Sequence, residues 1–279
     1  MRVVVTLVAL AACAAGVGPW ARAAAAPERV EIPEGQRTLK AVLYRPEGPG
    51  PFPAIVAMHG CAGLNISGEE IDRRYRDWAE RLVKAGFAVL FPDSYGSRGL
   101  GSLCRVRVRS VRTDRDRVLD ANSARRWLQR QPFVKTDRVS LLGWSNGGIS
   151  VLWTVRPQAK RKDDKPDFRS AVAFYPGCRR LDAAAWSARV PTLILIGGAD
   201  DWVSAKDCER MVAGARGRSA RTSIVVYPGA YHDFDHPNRP LQVRSGYAFS
   251  TDGSGRVHTA TNPSARADAH GRVPQWLER

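Results

Sequence analysis

Short, fully apolar runs alternate with amphipathic stretches through most of this 279-residue chain. Ala54-Ile55-Val56-Ala57-Met58 and Phe87-Ala88-Val89-Leu90-Phe91 carry no polar residue at either parity. That is the pattern of strands buried on both faces. Residues 37–44, 52–58, 87–91, 138–142, 170–175, 192–196 and 223–227 are predicted strands on this ground. The spacing predicts a helix over 70–84, with Tyr75, Trp78, Leu82 and Ala85 on one side and Gly86 just past its end. Thr113 is the predicted cap of a second helix running to about Gln131, with Asp114 and Asp116 in its first turn. Further helices are predicted over 147–155, 205–215 and, closing the chain, 263–277. Between them, 160–166 reads as a polar surface excursion, and the tail beyond Pro237 shows no element until Pro263.

This alternation implies right-handed strand–helix–strand units, and hence an α/β fold with a mostly parallel central sheet and helices on both faces. No internal repeat or linker divides it. Hydrophobic residues make up 44% and charged residues 25% of the chain, ordinary for a soluble globular protein. A chain of this length fits one large α/β unit. The first segment is set apart: Met1-Arg2, an apolar run from Val3 to Val17, a Gly18-Pro19 break, then Ala21-Arg22-Ala23. This is the layout of a secretory signal peptide, with cleavage near Ala23 or Ala25. The expected organisation is therefore a leader over 1–25 and a single domain over 26–279, exported to a periplasmic or extracellular location. The run falls short of the ~20 apolar residues that span a bilayer, and no other stretch approaches that length. Leu10-Ala11-Ala12-Cys13 also has the form of a bacterial lipobox, which makes lipidation at Cys13 the alternative route to the same compartment.

Without the leader four cysteines remain: Cys61, Cys104, Cys178 and Cys208. An even number in an exported protein suggests two disulfides, whose connectivity spacing alone leaves open. None has the short paired spacing of a zinc site, so no metal or cofactor is expected. Net charge is +16, densest at Arg105, Arg107, Arg109 and Arg112. These arginines read as a solvated basic face, or as the entrance for an acidic substrate or polyanion. The aromatic interleaving of single-strand nucleic-acid binders is absent, so no nucleic-acid partner is expected.

Leu141-Leu142-Gly143-Trp144-Ser145-Asn146-Gly147-Gly148 is the most informative stretch. Gly-x-Ser-x-Gly is weak alone and gains meaning from sitting between a buried strand and a helix. A tight strand-to-helix turn strains the central residue and demands small neighbours, which Gly143 and Gly147 supply. Ser145 is the candidate nucleophile. A serine hydroxyl needs a base, and the base needs an orienting group. In chain order the acid follows serine and histidine comes last. His232 follows the predicted strand 223–227 after a short loop and is the candidate base; His59 precedes Ser145, and His236, His258 and His270 fall in the polar tail. In Gly197-Gly198-Ala199-Asp200-Asp201-Trp202-Val203, Asp200 fits Gly-x-x-Asp-x-x-Val as the acid, with Asp201 as the other candidate. Oxyanion donors are expected from the backbone of Asn146 and, in His59-Gly60-Cys61-Ala62-Gly63, of Cys61.

Taken together, His59-Gly60-Cys61-x-Gly63, Phe91-Pro92-Asp93-Ser94-Tyr95-Gly96-Ser97-Arg98-Gly99, the Ser145 turn, Asp200 and His232 resemble the dienelactone hydrolase family. The resemblance spans roughly residues 30 to 240. It implies the α/β-hydrolase fold and a Ser/Cys–Asp–His triad acting on esters or lactones without a metal. The chain departs in carrying serine where dienelactone hydrolases proper carry cysteine, so it resembles the exported, serine-containing branch. The resemblance also places Arg98 where substrate-contacting residues sit, able to grip a carboxylate or to form a structural salt bridge. Strand ends in this fold bring Cys61 near Cys104, and Cys178 near Cys208. The expected activity is hydrolysis of a small-molecule carboxylic ester through an acyl-enzyme. Acyl transfer or peptide cleavage by the same residues is the first alternative, and a non-catalytic polyanion- or surface-binding module the second. Oligomeric state and substrate identity are not written in the sequence.

Overall fold

The computed structural model describes residues 25–64, 70–157 and 164–278. The expected leader and Cys13 lie outside the described residues, as do residues 160–163 of the polar excursion. Among the described residues, eight strands form one sheet. They are β1 (Glu28–Glu34), β2 (Arg37–Tyr44), β3 (Phe52–Met58), β4 (Ala88–Pro92), β5 (Val134–Trp144), β6 (Ala171–Phe174), β7 (Thr192–Gly197) and β8 (Thr222–Tyr227). Their order is β1-β2-β4-β3-β5-β6-β7-β8. From β4 to β8 every pairing is parallel; β1 and β2 form an antiparallel edge. Apolar continuity explains the middle of the sheet, since β4, β6 and β7 are buried at every position.

Helices α1 (Arg73–Lys84), α2 (Asp116–Leu128), α3 (Asn146–Thr154), α4 (Arg179–Ala183), α5 (Ala205–Gly214) and α6 (Pro263–Glu278) connect and close the strands. The chain moves one way from β3 to β4 and the other way from β4 to β5. Right-handed crossovers therefore put α1 on one face and α2, α3 and α5 on the other. Helix α6 joins α1, where the His270 ring meets the Trp78 ring edge-on at 4.9 Å. The reversal falls between β3 and β5, so their carboxyl ends open the crevice where such sheets bind ligands. Among the described residues no helix is long and apolar enough to cross a membrane.

Several details differ from the sequence reading. Strand β1 was not expected; its inward positions Val30 and Ile32 alternate with Arg29, Glu31 and Pro33, as suits an edge strand with one wet face. Helix α2 starts at Asp116, not at a Thr113 cap, because the Asp116 carboxylate reaches back to the Arg112 amide at 2.8 Å. The tail contains a hairpin of β9 (Gln242–Arg244) and β10 (Val257–Thr259). Strands this short leave no periodic trace. The hairpin is held from outside: Thr251 N–H donates to the Asp201 carbonyl (2.8 Å), and Ala248 N–H to the Cys104 carbonyl (3.1 Å). His236, His258 and His270, placed in the polar tail by the sequence, are half-buried: His258 against Asp201 and His270 against Trp78 and Asp77.

Two disulfides, Cys61–Cys104 and Cys178–Cys208, close segments of 43 and 30 residues. Loops of this length contribute on the order of 4 kcal/mol each by restricting the unfolded chain. The paired serine variant at Cys61 and Cys104 is expected to melt roughly 10 °C lower in calorimetry. An unchanged melting temperature would show that the bridge does not stabilise the fold.

Candidate active site

Ser145 sits between β5 and α3 with φ 52° and ψ −114°, a conformation that side chains avoid. Two anchors impose it. Ser145 N–H donates to the Phe174 carbonyl at 2.9 Å, and Ile149 N–H to the Ser145 carbonyl at 2.9 Å. The turn is so close to β3 that a Cβ on Gly147 would lie 2.0 Å from the Met58 carbonyl oxygen. Just before the turn, the buried Trp144 stacks on Phe174 (5.7 Å between centroids), and its indole N–H donates to Asp235 at 2.8 Å.

His232 lies on the loop after β8, fully buried. Its Nδ1 meets Asp200 Oδ2 at 2.7 Å. The other carboxylate oxygen of Asp200 accepts the Trp202 and Val203 amides at 2.9 and 3.0 Å, which fixes the acid. A Cβ on Gly197 would strike the Ala230 carbonyl at 2.1 Å, so glycine at the end of β7 lets the two loops close together. The imidazole is held between the rings of Tyr175 (4.4 Å) and Trp202 (4.6 Å). Its Nε2 is buried without a hydrogen-bond partner among the described residues. Ser145 bonds to Phe174 and His232 packs on Tyr175, so both hang from consecutive residues at the end of β6.

Burial by itself disfavours a proton on His232. The Asp200 carboxylate, through charge and hydrogen bond, more than offsets this and raises its pKa above the ordinary histidine value. His59 is the opposite case. Its Nδ1 faces the Gly60 carbonyl (2.8 Å) and its Nε2 accepts the Ser94 amide (3.1 Å). Full burial, with help from the nearby Arg117 charge, holds its pKa well below the usual range, so it is a neutral structural ring.

Asp201, the other acid candidate, pairs instead with His258 Nδ1 at 2.7 Å and ties down the tail hairpin. Cys61 and Asn146 line, with Ser145, one cavity of about 420 Å³. As the first residue of α3, Asn146 has an N–H with no acceptor inside the helix. Arg98 does not line this cavity. Its guanidinium is bidentate on Asp120 (2.7 and 3.1 Å) and donates to the Ser94 carbonyl (2.8 Å), the geometry of the salt-bridge alternative. The reason is topological: β1 and α2 bring Glu34 and the buried Asp120 together at this point, and Arg98 pairs with both, while burial and the Asp120 charge push the Glu34 carboxyl up to about 7.

Several residues of the site escaped the sequence reading. Tyr175, at φ 35°, donates its hydroxyl to Asp235 (2.6 Å) and accepts from Arg74 (3.0 Å). Arg74 and Arg239 both pair with Asp233, next to His232, and hold that carboxyl far below the ordinary range against the cost of burial. Charged residues clustered as His232-Asp233-Phe234-Asp235 were the one available signal.

A sequence model described as the dienelactone hydrolase family matches residues 39–279. The chain belongs to that family. It is a hydrolase acting on ester bonds. A Bradyrhizobium protein named for 2-oxo-3-(5-oxofuran-2-ylidene)propanoate lactonase is 26% identical over 237 residues, covering 78% of this chain and 89% of its own. A Yersinia pestis protein named for carboxymethylenebutenolidase is 26% identical over 226 residues, covering 75% and 79%. Among solved structures, one named for a dienelactone hydrolase from Klebsiella pneumoniae superposes with a TM-score of 0.70 at 20% identity, over 92% of this chain and 99% of that one. Thermogutta terrifontis esterase 2 gives 0.58 at 20% identity, over 77% and 87%. These superpositions establish the α/β-hydrolase fold of this family member.

Proposed function

We propose that this dienelactone hydrolase family member cleaves carboxylic esters through an acyl-enzyme on Ser145, with His232 as base and Asp200 as its orienting acid. The observation that carries the reading is the His232 ring, bonded through Nδ1 to Asp200 with Nε2 buried and unpartnered, and packed on Tyr175, the residue after the Phe174 carbonyl that anchors the strained Ser145 turn. Nε2 takes the Ser145 Oγ proton as Oγ attacks the ester carbonyl carbon. Oxygen charge develops against the N–H groups of Asn146 and Cys61. The imidazolium then gives its proton to the departing alkoxide, and water repeats the sequence on the acyl group. We read residues 1–25 as an export leader and 26–279 as one catalytic unit. The two disulfides support an oxidising location.

The cavity favours an ester that carries a second, anionic group. Five arginines line it against two aspartates. Arg112 pairs with Asp114, and Arg179 with Asp207. Arg109 stacks over Phe249 (5.2 Å) and donates to main-chain carbonyls, with no carboxylate within 4 Å among the described residues. Burial without such a partner lowers its hold on its proton, so an incoming anion is welcome there. Names of the relatives, a propanoate lactonase and a carboxymethylenebutenolidase, point the same way. The p-nitrophenyl monoester of succinic acid is expected to exceed p-nitrophenyl butyrate in kcat/KM by roughly tenfold or more, the scale of one charge-assisted hydrogen bond. The double variant Arg107→Met, Arg109→Met is expected to erase that preference. Equal kcat/KM for the two esters in the wild type removes the anionic-substrate reading and leaves the esterase reading standing.

A further inference from the structure

Arg117 is the second residue of α2 and is completely buried. Its guanidinium reaches three separate segments of the site. Nη2 donates to the His59 carbonyl at 2.7 Å, Nη1 to Asn146 Oδ1 at 2.8 Å, and Nε to Ser94 Oγ at 3.2 Å. No carboxylate oxygen of the described residues lies within 4 Å of it. The guanidinium also lies over the ring of Tyr95, at 5.2 Å. The Tyr95 hydroxyl donates to the same Asn146 oxygen at 2.7 Å.

An uncompensated buried cation is costly, and three neutral acceptors only partly offset the lost hydration. A fold that needed only to tie these loops together has neutral donors for the purpose. What distinguishes this position is where the charge falls. Asn146 is the residue after Ser145, and His59 is two residues before Cys61. Arg117 thus grips, from outside the cavity lining, both segments that carry the lining residues Asn146 and Cys61. The positive field it casts there shows in its neighbour: it helps to keep His59 unprotonated.

We propose that Arg117 is a positioning residue for the oxyanion site. It sets the spacing between the Asn146 and Cys61 donors and holds a fixed positive charge behind them, in a buried setting where water does not screen it. The proposal rests on Ser145 acting as the nucleophile. Its charge is stabilising to the tetrahedral oxyanion and nearly indifferent to the neutral ester. Its loss therefore falls on kcat and not on KM.

The test uses Arg117→Met and Arg117→Lys in the mature protein, both checked for folding by calorimetry. For Arg117→Met, kcat on a p-nitrophenyl ester is expected to fall roughly 10- to 100-fold with KM within about threefold, a smaller loss than deleting a donor outright. Affinity for an alkylboronic acid, which becomes a tetrahedral anion on the serine, is expected to fall in the same proportion. Affinity for the product carboxylic acid stays level. Arg117→Lys keeps the charge but reaches fewer acceptors, and is expected to fall between wild type and Arg117→Met. If Arg117→Met does not fold, the boronate ratio is read from Arg117→Lys alone. A folded variant of either kind that binds the boronate as tightly as wild type overturns the proposal. A wild-type protein that takes a fluorophosphonate label somewhere other than Ser145 overturns the nucleophile reading itself, and the two failures are thereby told apart.

Discussion

Replacing Ser145 by alanine is expected to lower kcat by roughly four to six orders of magnitude, the scale seen when a nucleophile is removed from such a triad. The loss is large because no neighbouring group substitutes for it. Cys61 is bonded to Cys104, His59 has both ring nitrogens engaged, and Asn146 carries no nucleophile. Stability tells a second story. Alanine keeps the Cβ and hence the strain of φ 52°, so its melting temperature is expected to match wild type. Ser145→Gly removes that strain, worth about 1–3 kcal/mol, and is expected to melt a few degrees higher while being equally inactive. Steady-state kinetics and calorimetry on the two variants check both parts. Retention of a tenth of wild-type kcat by Ser145→Ala excludes it as the nucleophile, and a glycine variant less stable than alanine contradicts the strain.

Asp200→Asn is expected to cost about 10⁴-fold in kcat. The Trp202 and Val203 amides that hold one carboxylate oxygen can hold an amide oxygen equally well. The asparagine NH₂ then faces His232 Nδ1 and favours the tautomer with its proton on Nε2, where a base must be empty. The pH profile carries an independent sign. Burial lowers the His232 pKa, but Asp200 raises it further, so the folded value lies above 6.5. The base works unprotonated, so wild-type kcat/KM is expected to rise with pH through a midpoint above 6.5 and level off on the alkaline side. In Asp200→Asn that attraction is gone, and burial, the largest influence, remains with Arg74 against the weaker pull of Asp233. The midpoint of its residual activity is therefore expected below 6.5. A midpoint that does not move shows that Asp200 is not the charge felt by the base.

The parts of this molecule that sequence reveals are those set by local rules. Strands β3, β4 and β7 are apolar at nearly every position because both faces are covered, and no helix of that length reads so. The Ser145 turn is legible because the close approach to Met58 excludes any side chain at Gly147. Gly-x-x-Asp-x-x-Val singled out Asp200, and the structure puts Asp200 rather than Asp201 on His232. Residues whose partners lie far away in the chain were not legible. Arg98 is tied to Glu34 and Asp120, and nothing near it in sequence announces either. Arg117 and Asp120 sit on the inner face of α2 beside Ala121, Ala124 and Leu128. Charge at buried positions blurs the helical periodicity that would have marked that face. The tail hairpin is held by Asp201 and Cys104, some 40 to 150 residues upstream, and so leaves no pattern of its own.

The most direct test of the account is the covalent state of the enzyme during turnover. Acid quenching in the first moments of reaction with a p-nitrophenyl ester, followed by peptide mapping by mass spectrometry, reads it. The expected result is one acyl group added to the peptide containing Ser145, absent in Ser145→Ala. Hydrolysis at the full wild-type rate with no adduct on Ser145, or an adduct on another residue, contradicts the acyl-enzyme on which the account is built.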